Sequence, residues 1–119
     1  MRVEFNMNYD QKQIEEIVFE AKTAAQRAAR KYFNEKLGGQ DQYSCGFAWV
    51  DIFGIKGNTK LGRAMKAAGI RKSYTGSFQI WNPSDMGCQN IDTKEEGARA
   101  AAEVFERYGF QAYAGSRLD

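Results

Sequence analysis

The sequence contains no histidine among its 119 residues. Histidine is the commonest general base and the commonest metal ligand in proteins. Its absence excludes nucleophile activation by Ser-His-Asp and Cys-His arrangements. No other pattern in the sequence identifies a catalytic centre. We therefore expect no catalytic residue, no metal ligand and no cofactor, and an enzyme is the less favoured class of protein.

Cysteine and long apolar runs are also scarce. The two cysteines, Cys45 and Cys88, match no metal-binding spacing, and we expect both to be reduced and buried, with a disulfide as the alternative that the sequence leaves open. No apolar run approaches the ~20 residues that a membrane-spanning helix needs. The segment Met1 to Glu4 does not start a signal peptide, since no apolar region follows it. We therefore expect a cytoplasmic protein without a membrane partner.

Acidic residues are absent from one stretch, Ile52 to Ser84. The same stretch holds six of the 17 basic residues, so its net charge is +6, whereas 11 basic and 15 acidic residues elsewhere give −4. A basic segment that also carries aromatic residues is typical of a surface that meets phosphates. The predicted polyanion-binding residues are Lys56, Lys60, Arg63, Lys66, Arg71 and Lys72, with Tyr74 or Trp81 stacking on bases.

The centre of this basic segment has a second interpretation. Lys60, Arg63 and Lys66 line one face of a helix predicted over residues 60–68, and such a face is commonly just solvated. Its charge would then be balanced in space by the acidic residues Glu15, Glu16 or Glu20. The glycine-rich turn at residues 54–60 also has two interpretations: it presents free N–H groups to an anion, or it is a tight strand-to-helix connection.

The longest predicted element is a helix from Gln11 to Leu37, capped by Asp10 and ended by two glycines. At 1.5 Å per residue it would be ~40 Å long, which is long for a domain of this size. Its alanine-rich middle, residues 21–29, would permit close approach of another backbone. This supports a second hypothesis, a protein–protein interaction module that homo-oligomerises through residues 11–37. The alternative is a helix that ends earlier.

The remaining periodicities complete a single domain over residues 1–119. We predict strands at 3–7, 43–53, 71–74, 77–82 and 110–114, helices at 60–68 and from a capping box that starts at Thr93, and a tail at 116–119. After the long helix, the order of elements is that of the split β-α-β unit of ferredoxin-like folds. We therefore predict an α+β two-layer sandwich with an antiparallel sheet, extended by an N-terminal strand and the long helix.

The predicted sheet collects aromatic residues on one face. Strand alternation places Phe47, Trp49, Trp81 and Tyr113 there, together with Gln79 and Gln111. On an open face such rings would stack on bases, as in RNA-recognition motifs, although the sequence patterns of those motifs are absent. We expect instead that the long helix covers this face, because its apolar stripe must be buried.

A polar loop at residues 82–89 contains Asp85, Cys88 and Gln89, and we interpret it as a surface connection because no histidine is present to activate the thiol. The function predicted from the sequence is therefore that of a small non-enzymatic accessory or binding protein. It would contact nucleic acid or another polyanion through the basic segment 56–72, and homo-oligomerisation through the long helix is the alternative.

Overall fold

The computed structural model describes residues 8–119, so the strand predicted at residues 3–7 lies outside the described residues. Within that range the chain forms an α+β fold of three helices and one four-stranded antiparallel sheet. The elements in chain order are α1 (Gln11–Leu37), β1 (Gly46–Phe53), α2 (Lys60–Ala67), β2 (Arg71–Lys72), β3 (Phe78–Trp81), α3 (Ile91–Arg107) and β4 (Gln111–Leu118). None of the helices in this range is long and apolar enough to cross a membrane.

The first helix has the bounds that its capping residues predict. The Asp10 carboxylate accepts a hydrogen bond from the Gln13 N–H at 2.8 Å, and the Gln13 side chain accepts one from the Asp10 N–H at 2.9 Å. This reciprocal pair satisfies two N–H groups that have no partner within the helix. The helix, ~40 Å long, spans the molecule, whose longest dimension is 43 Å.

The alanine-rich middle of α1 packs inside the molecule. Ala21, Ala25 and Ala29 are completely buried, and α3 is the main packing partner of this helix. The approach is close, because a Cβ atom on Gly97 of α3 would lie 3.2 Å from the Ala25 carbonyl oxygen. The small side chains that suggested a contact with another molecule therefore serve an internal helix–helix contact.

The sheet has the order β2-β3-β1-β4, and every neighbouring pair is antiparallel. All eight residues of β1 are paired with β4, from Gly46 opposite Leu118 to Phe53 opposite Gln111. Strand β1 is thus a central strand, between β3 and β4. The ferredoxin-like arrangement remains a prediction.

Two predicted boundaries near the C-terminus are wrong. Helix α3 begins at Ile91, and its cap is Asn90, whose side-chain oxygen accepts hydrogen bonds from both the N–H and the hydroxyl of Thr93. Thr93 is therefore a buried residue of the first turn. The predicted tail also belongs to β4, because residues 116–118 pair with the start of β1.

The strands predicted at 43–53, 71–74 and 77–82 are longer than the observed β1, β2 and β3. Strand β1 begins at Gly46 because Tyr43, with a φ of 67°, departs from extended geometry. Tyr74 lies in the turn between β2 and β3 and is fully exposed. The short β2 leaves most of that hairpin as a turn.

The helices cover the face of the sheet opposite to the one we expected. In β1 the even-numbered Ala48, Val50 and Ile52 are buried in the core with residues of all three helices. The expectation that the long helix covers the aromatic face is therefore wrong. The apolar stripe of α1 is buried against α3 and α2, and α3 packs on the even-numbered side of β1, which leaves the odd-numbered side without a helix.

Candidate functional site

The uncovered side of the sheet, which we call the open face, carries most of the exposed aromatic rings of residues 8–119. Phe47 is 37 % exposed, Phe53 41 %, Trp81 48 % and Tyr113 59 %. The strand registers bring these residues to the same side as their polar partners. The open face consists of Phe47, Trp49, Asp51, Phe53, Arg71, Gln79, Trp81, Gln111, Tyr113, Gly115 and Arg117.

A pair of stacked indoles occupies one half of the open face. Trp49 lies directly opposite Trp81, and their ring centroids are 4.8 Å apart at an interplanar angle of 29°. On the other side of Trp49 the partner is Gly115, where a Cβ atom would come within 2.5 Å of the indole nitrogen. The absence of a side chain at Gly115 therefore allows the Trp49 indole to lie over β4.

Asp51 holds this pair in place from the centre of the open face. Its Oδ2 atom accepts a hydrogen bond from Trp49 Nε1 at 2.9 Å, and its Oδ1 atom accepts one from Gln79 Nε2 at 2.7 Å. Gln79 Oε1 in turn accepts a hydrogen bond from Trp81 Nε1 at 3.1 Å. The carboxylate and one amide thus fix the orientation of both indoles. The buried hydroxyl of Ser77, just before β3, also donates to Asp51 Oδ1 at 2.9 Å.

A second aromatic cluster occupies the other half of the open face. The rings of Phe53 and Tyr113 are 5.8 Å apart and tilted by 57°. Phe53 follows Trp49 by four residues on the same strand, a distance of ~13 Å along β1. Two separate ring surfaces are therefore available, with Asp51 between them.

The first aromatic cluster consists of the stacked indoles and Phe47, whose ring centroid is 6.3 Å from that of Trp81. Cationic groups lie beside it. The Arg117 guanidinium is 5.4 Å from the centre of the Phe47 ring, and Lys94 Nζ is 5.5 Å from it. Lys94 is largely buried and donates a hydrogen bond to the Gly46 carbonyl oxygen at 3.0 Å. Arg71, opposite Gln79, adds a third cation at the β2 edge. Asp51 is the one acidic member of the open face.

No protein-family model, curated protein or solved structure matches the chain. The case for a function therefore depends on the geometry and chemistry of its own residues.

The basic residues predicted from the sequence do not form one patch with the aromatic rings. Ala64 and Met65 of α2 are buried in the core on the covered side of the sheet. The exposed residues Lys60, Arg63 and Lys66 of that helix therefore belong to the helical layer. Of the predicted site residues, Arg71 and Trp81 lie on the open face, whereas Lys56, Lys60, Arg63, Lys66, Lys72 and Tyr74 do not.

The glycine-rich turn directs carbonyl oxygens toward several of these cations. Arg63 Nη1 donates to the Asn58 carbonyl at 2.7 Å, Lys72 Nζ to the Ile55 carbonyl at 2.9 Å, and Lys66 Nζ to the Gly57 carbonyl at 3.3 Å. The N-terminus of α2 is capped as well, since Thr59 Oγ1 accepts the Gly62 N–H at 3.0 Å. These contacts favour a tight connection over an anion site.

The predicted charge balance by acidic residues of α1 does not take the form of ion pairs. Within residues 8–119, the ion pairs join Arg99 to Glu95 and Glu96 on α3. None involves a basic residue of the 56–72 segment. The positive charge of that segment is therefore not paired with carboxylates in the described residues. Carbonyl oxygens of the glycine-rich turn stabilise the cations of Arg63, Lys66 and Lys72.

The Cys88 thiol is not activated as a nucleophile. Both cysteines are free, but the expectation that both are buried is wrong for Cys45, which is exposed, whereas Cys88 is buried. Burial raises the pKa of the Cys88 thiol, and the negative charge of Asp41 raises it further. The protonated thiol is a poor nucleophile. In the described part of the chain, no three or more Cys, Asp or Glu side chains are grouped as metal ligands.

The sequence indicated part of the open face and missed the rest. Phe47, Trp49, Trp81 and Tyr113 share a face with Gln79 and Gln111, as alternation predicts. The same alternation in β1 would have added Asp51 and Phe53. Gly115 and Arg117 were missed because β4 was predicted to end at Ala114.

Proposed function

We propose that the protein binds single-stranded nucleic acid on the open face, with bases stacked on its aromatic rings. The observation that carries this proposal is the set of five aromatic residues on an uncovered sheet, four of them more than a third exposed. Stacking of a base on an aromatic side chain contributes about 1–3 kcal/mol. Monomeric proteins seldom expose such a cluster without a binding role.

The arrangement of the rings favours a single strand over a duplex. The faces of bases in a duplex are covered by their neighbours, so only unstacked bases can lie on side-chain rings. Trp49 and Phe53, about 13 Å apart along β1, would hold separate bases of one short segment. The polar groups between them, Asp51 and Gln79, favour base edges over an apolar protein surface.

The charges of the open face complement a phosphate backbone along its margin. Arg117 flanks the first ring cluster, and Arg71 lies at the β2 edge. Asp51 at the centre would repel a phosphate. We therefore place the bases over the centre and the phosphates along the edges, where cations can release counterions from the strand.

The basic segment 56–72 has an auxiliary role in this proposal. Apart from Arg71, its cations lie away from the open face, and none of them has a carboxylate partner in the described range. They would attract a polyanion at a distance and raise the rate of association. Such an effect is sensitive to salt and contributes little specificity.

The ferredoxin-like arrangement is part of the same proposal. Strands β1 and β2 are both antiparallel to β3, which lies between them, and α2 connects them. This supports a split β-α-β unit with the first base-binding cluster on its central strands. The alternative function, self-association through residues 11–37, loses one support because the alanines of α1 are buried internally.

The test is fluorescence anisotropy with labelled single-stranded and double-stranded DNA and RNA at about 50 and about 200 mM salt. We expect single strands to bind more tightly than duplexes, and affinity to fall with salt. The variant W81A/Y113A should lose most of the affinity. The variant K60A/R63A/K66A, which removes charge from the helical layer, should retain more affinity for single strands than W81A/Y113A does. Failure of the wild-type protein to bind any single strand at low salt contradicts the proposal.

A further inference from the structure

We infer that Asp51 makes the open face select a base with an exocyclic amino group, so that cytosine binds in preference to uracil or thymine. This inference rests on the proposed function and adds to it the class of base that the centre of the site accepts. It follows from the position of one carboxylate and from the number of hydrogen bonds that it already accepts.

Asp51 is the only acidic group among the open-face residues, and it lies between the two ring clusters. Along β1 its neighbours on this face are Trp49 and Phe53, and across the sheet they are Gln79 and Tyr113. A base that stacks on either cluster therefore has an edge directed toward this carboxylate. Asp51 is partly exposed, so its remaining acceptor capacity is accessible.

The carboxylate has acceptor capacity left for a ligand. Two ionised oxygens offer about four acceptor positions, and three are filled by Trp49 Nε1, Ser77 Oγ and Gln79 Nε2. Of these donors, two bind Oδ1 and one binds Oδ2, so the free position is on Oδ2. The three bonds also prevent the carboxylate from turning away.

A fixed acceptor distinguishes the two kinds of pyrimidine. Cytosine presents an amino donor at position 4, which carboxylates accept. Uracil and thymine present a carbonyl oxygen at the same position, and two acceptors facing each other repel. Stacking on the rings is similar for bases of the same ring size, so the difference in affinity would come from the contact with Asp51.

The experiment compares labelled oligocytidylate with oligouridylate of equal length, about eight nucleotides, by anisotropy at fixed low salt. Oligonucleotides of equal length carry equal numbers of phosphates, so the nonspecific electrostatic contribution to affinity is the same for both. We expect the wild-type protein to bind oligocytidylate about tenfold more tightly, as a charged hydrogen bond provides. The variant D51N should lose this preference, because its amide can no longer offer two acceptor oxygens.

The control is D92N, which removes the same charge from an exposed position in the first turn of α3, away from the open face. It should keep the preference for cytosine. Equal affinity of the wild-type protein for both oligonucleotides overturns the inference and leaves the proposed function standing. Absence of binding to either oligonucleotide overturns both. If D51N fails to fold, the wild-type comparison still decides.

Discussion

The two sides of the sheet use aromatic residues in opposite ways, and β3 shows the contrast within four residues. Phe78 points into the core and is completely buried, whereas Trp81 lies on the open face and is 48 % exposed. Burial of the first ring stabilises the fold through removal of apolar surface from water. The Trp81 ring contributes little to this stabilisation because much of it stays in water. The covered side thus explains stability, whereas the rings of the open side contribute little to it.

The largest expected effect concerns stability. Phe78→Ala should lower the free energy of unfolding by about 3–5 kcal/mol, because it removes a buried ring and leaves a cavity. Tyr113→Ala, on the open face, should lower it by less than about 1 kcal/mol. Urea unfolding followed by circular dichroism measures both. Similar losses in the two variants would mean that the open face is buried in solution.

The next effect concerns binding. Trp81→Ala should weaken the affinity for a single strand by about 1–3 kcal/mol, since it removes one stacking surface. The matched control is Tyr74→Ala, which removes a fully exposed ring from the turn between β2 and β3. It should leave the affinity within about twofold of wild type. The reverse order of effects would place the stacking ring at the hairpin turn.

A smaller effect on stability should come from a substitution that disturbs the indole pair and leaves the rest of the fold unchanged. Gly115→Ala places a Cβ atom against the Trp49 ring and should cost about 1 kcal/mol, near the low end for overpacking because the indole can move toward solvent. The near-ultraviolet circular dichroism should change, because the tryptophans lose their mutual orientation. Gly87→Ala is the control, since no atom lies within 4 Å of its added Cβ. Identical spectra for both variants would contradict the stacked geometry.

The smallest effect comes from the covered side. Burial raises the pKa of the Cys88 thiol, so folding favours its protonated form. The stabilisation that comes from this protonated thiol is complete below the ordinary thiol pKa. It is lost as the pH rises through the raised pKa of the folded protein. Cys88→Ala should remove this alkaline loss from the unfolding curve. Thiol labelling at neutral pH should be faster at Cys45 than at Cys88, and equal rates would contradict the burial.

Local sequence signals predicted those boundaries that local contacts determine. The bounds of α1 follow from Asp10, Gln13 and the glycine after Leu37. The predicted start of α3 was wrong because Asn90 and Thr93 both fit a cap. Distant contacts select Asn90: its side-chain amide donates to the Gln42 carbonyl, and its backbone N–H donates to the Asp41 carboxylate. No local pattern contains those partners.

The open face was only partly predictable for a similar reason. Alternation shows which side chains of a strand share a side, but it does not show which side the helices will cover. Residues 115–118 have weak strand propensity, yet they extend β4 because the start of β1 offers them backbone partners. The full set of site residues therefore required tertiary information.

The most direct test of the central claim is an NMR titration of the ¹⁵N-labelled protein with an unlabelled single-stranded oligonucleotide. The chain has two tryptophans, and both lie on the open face, so its two indole N–H signals report on that face alone. We predict that both indole signals shift on binding, while the amide signals of Gly62 and Ala64 in α2 shift little. Shifts confined to α2 with unchanged indole signals would contradict the account and return the binding surface to the basic segment 56–72.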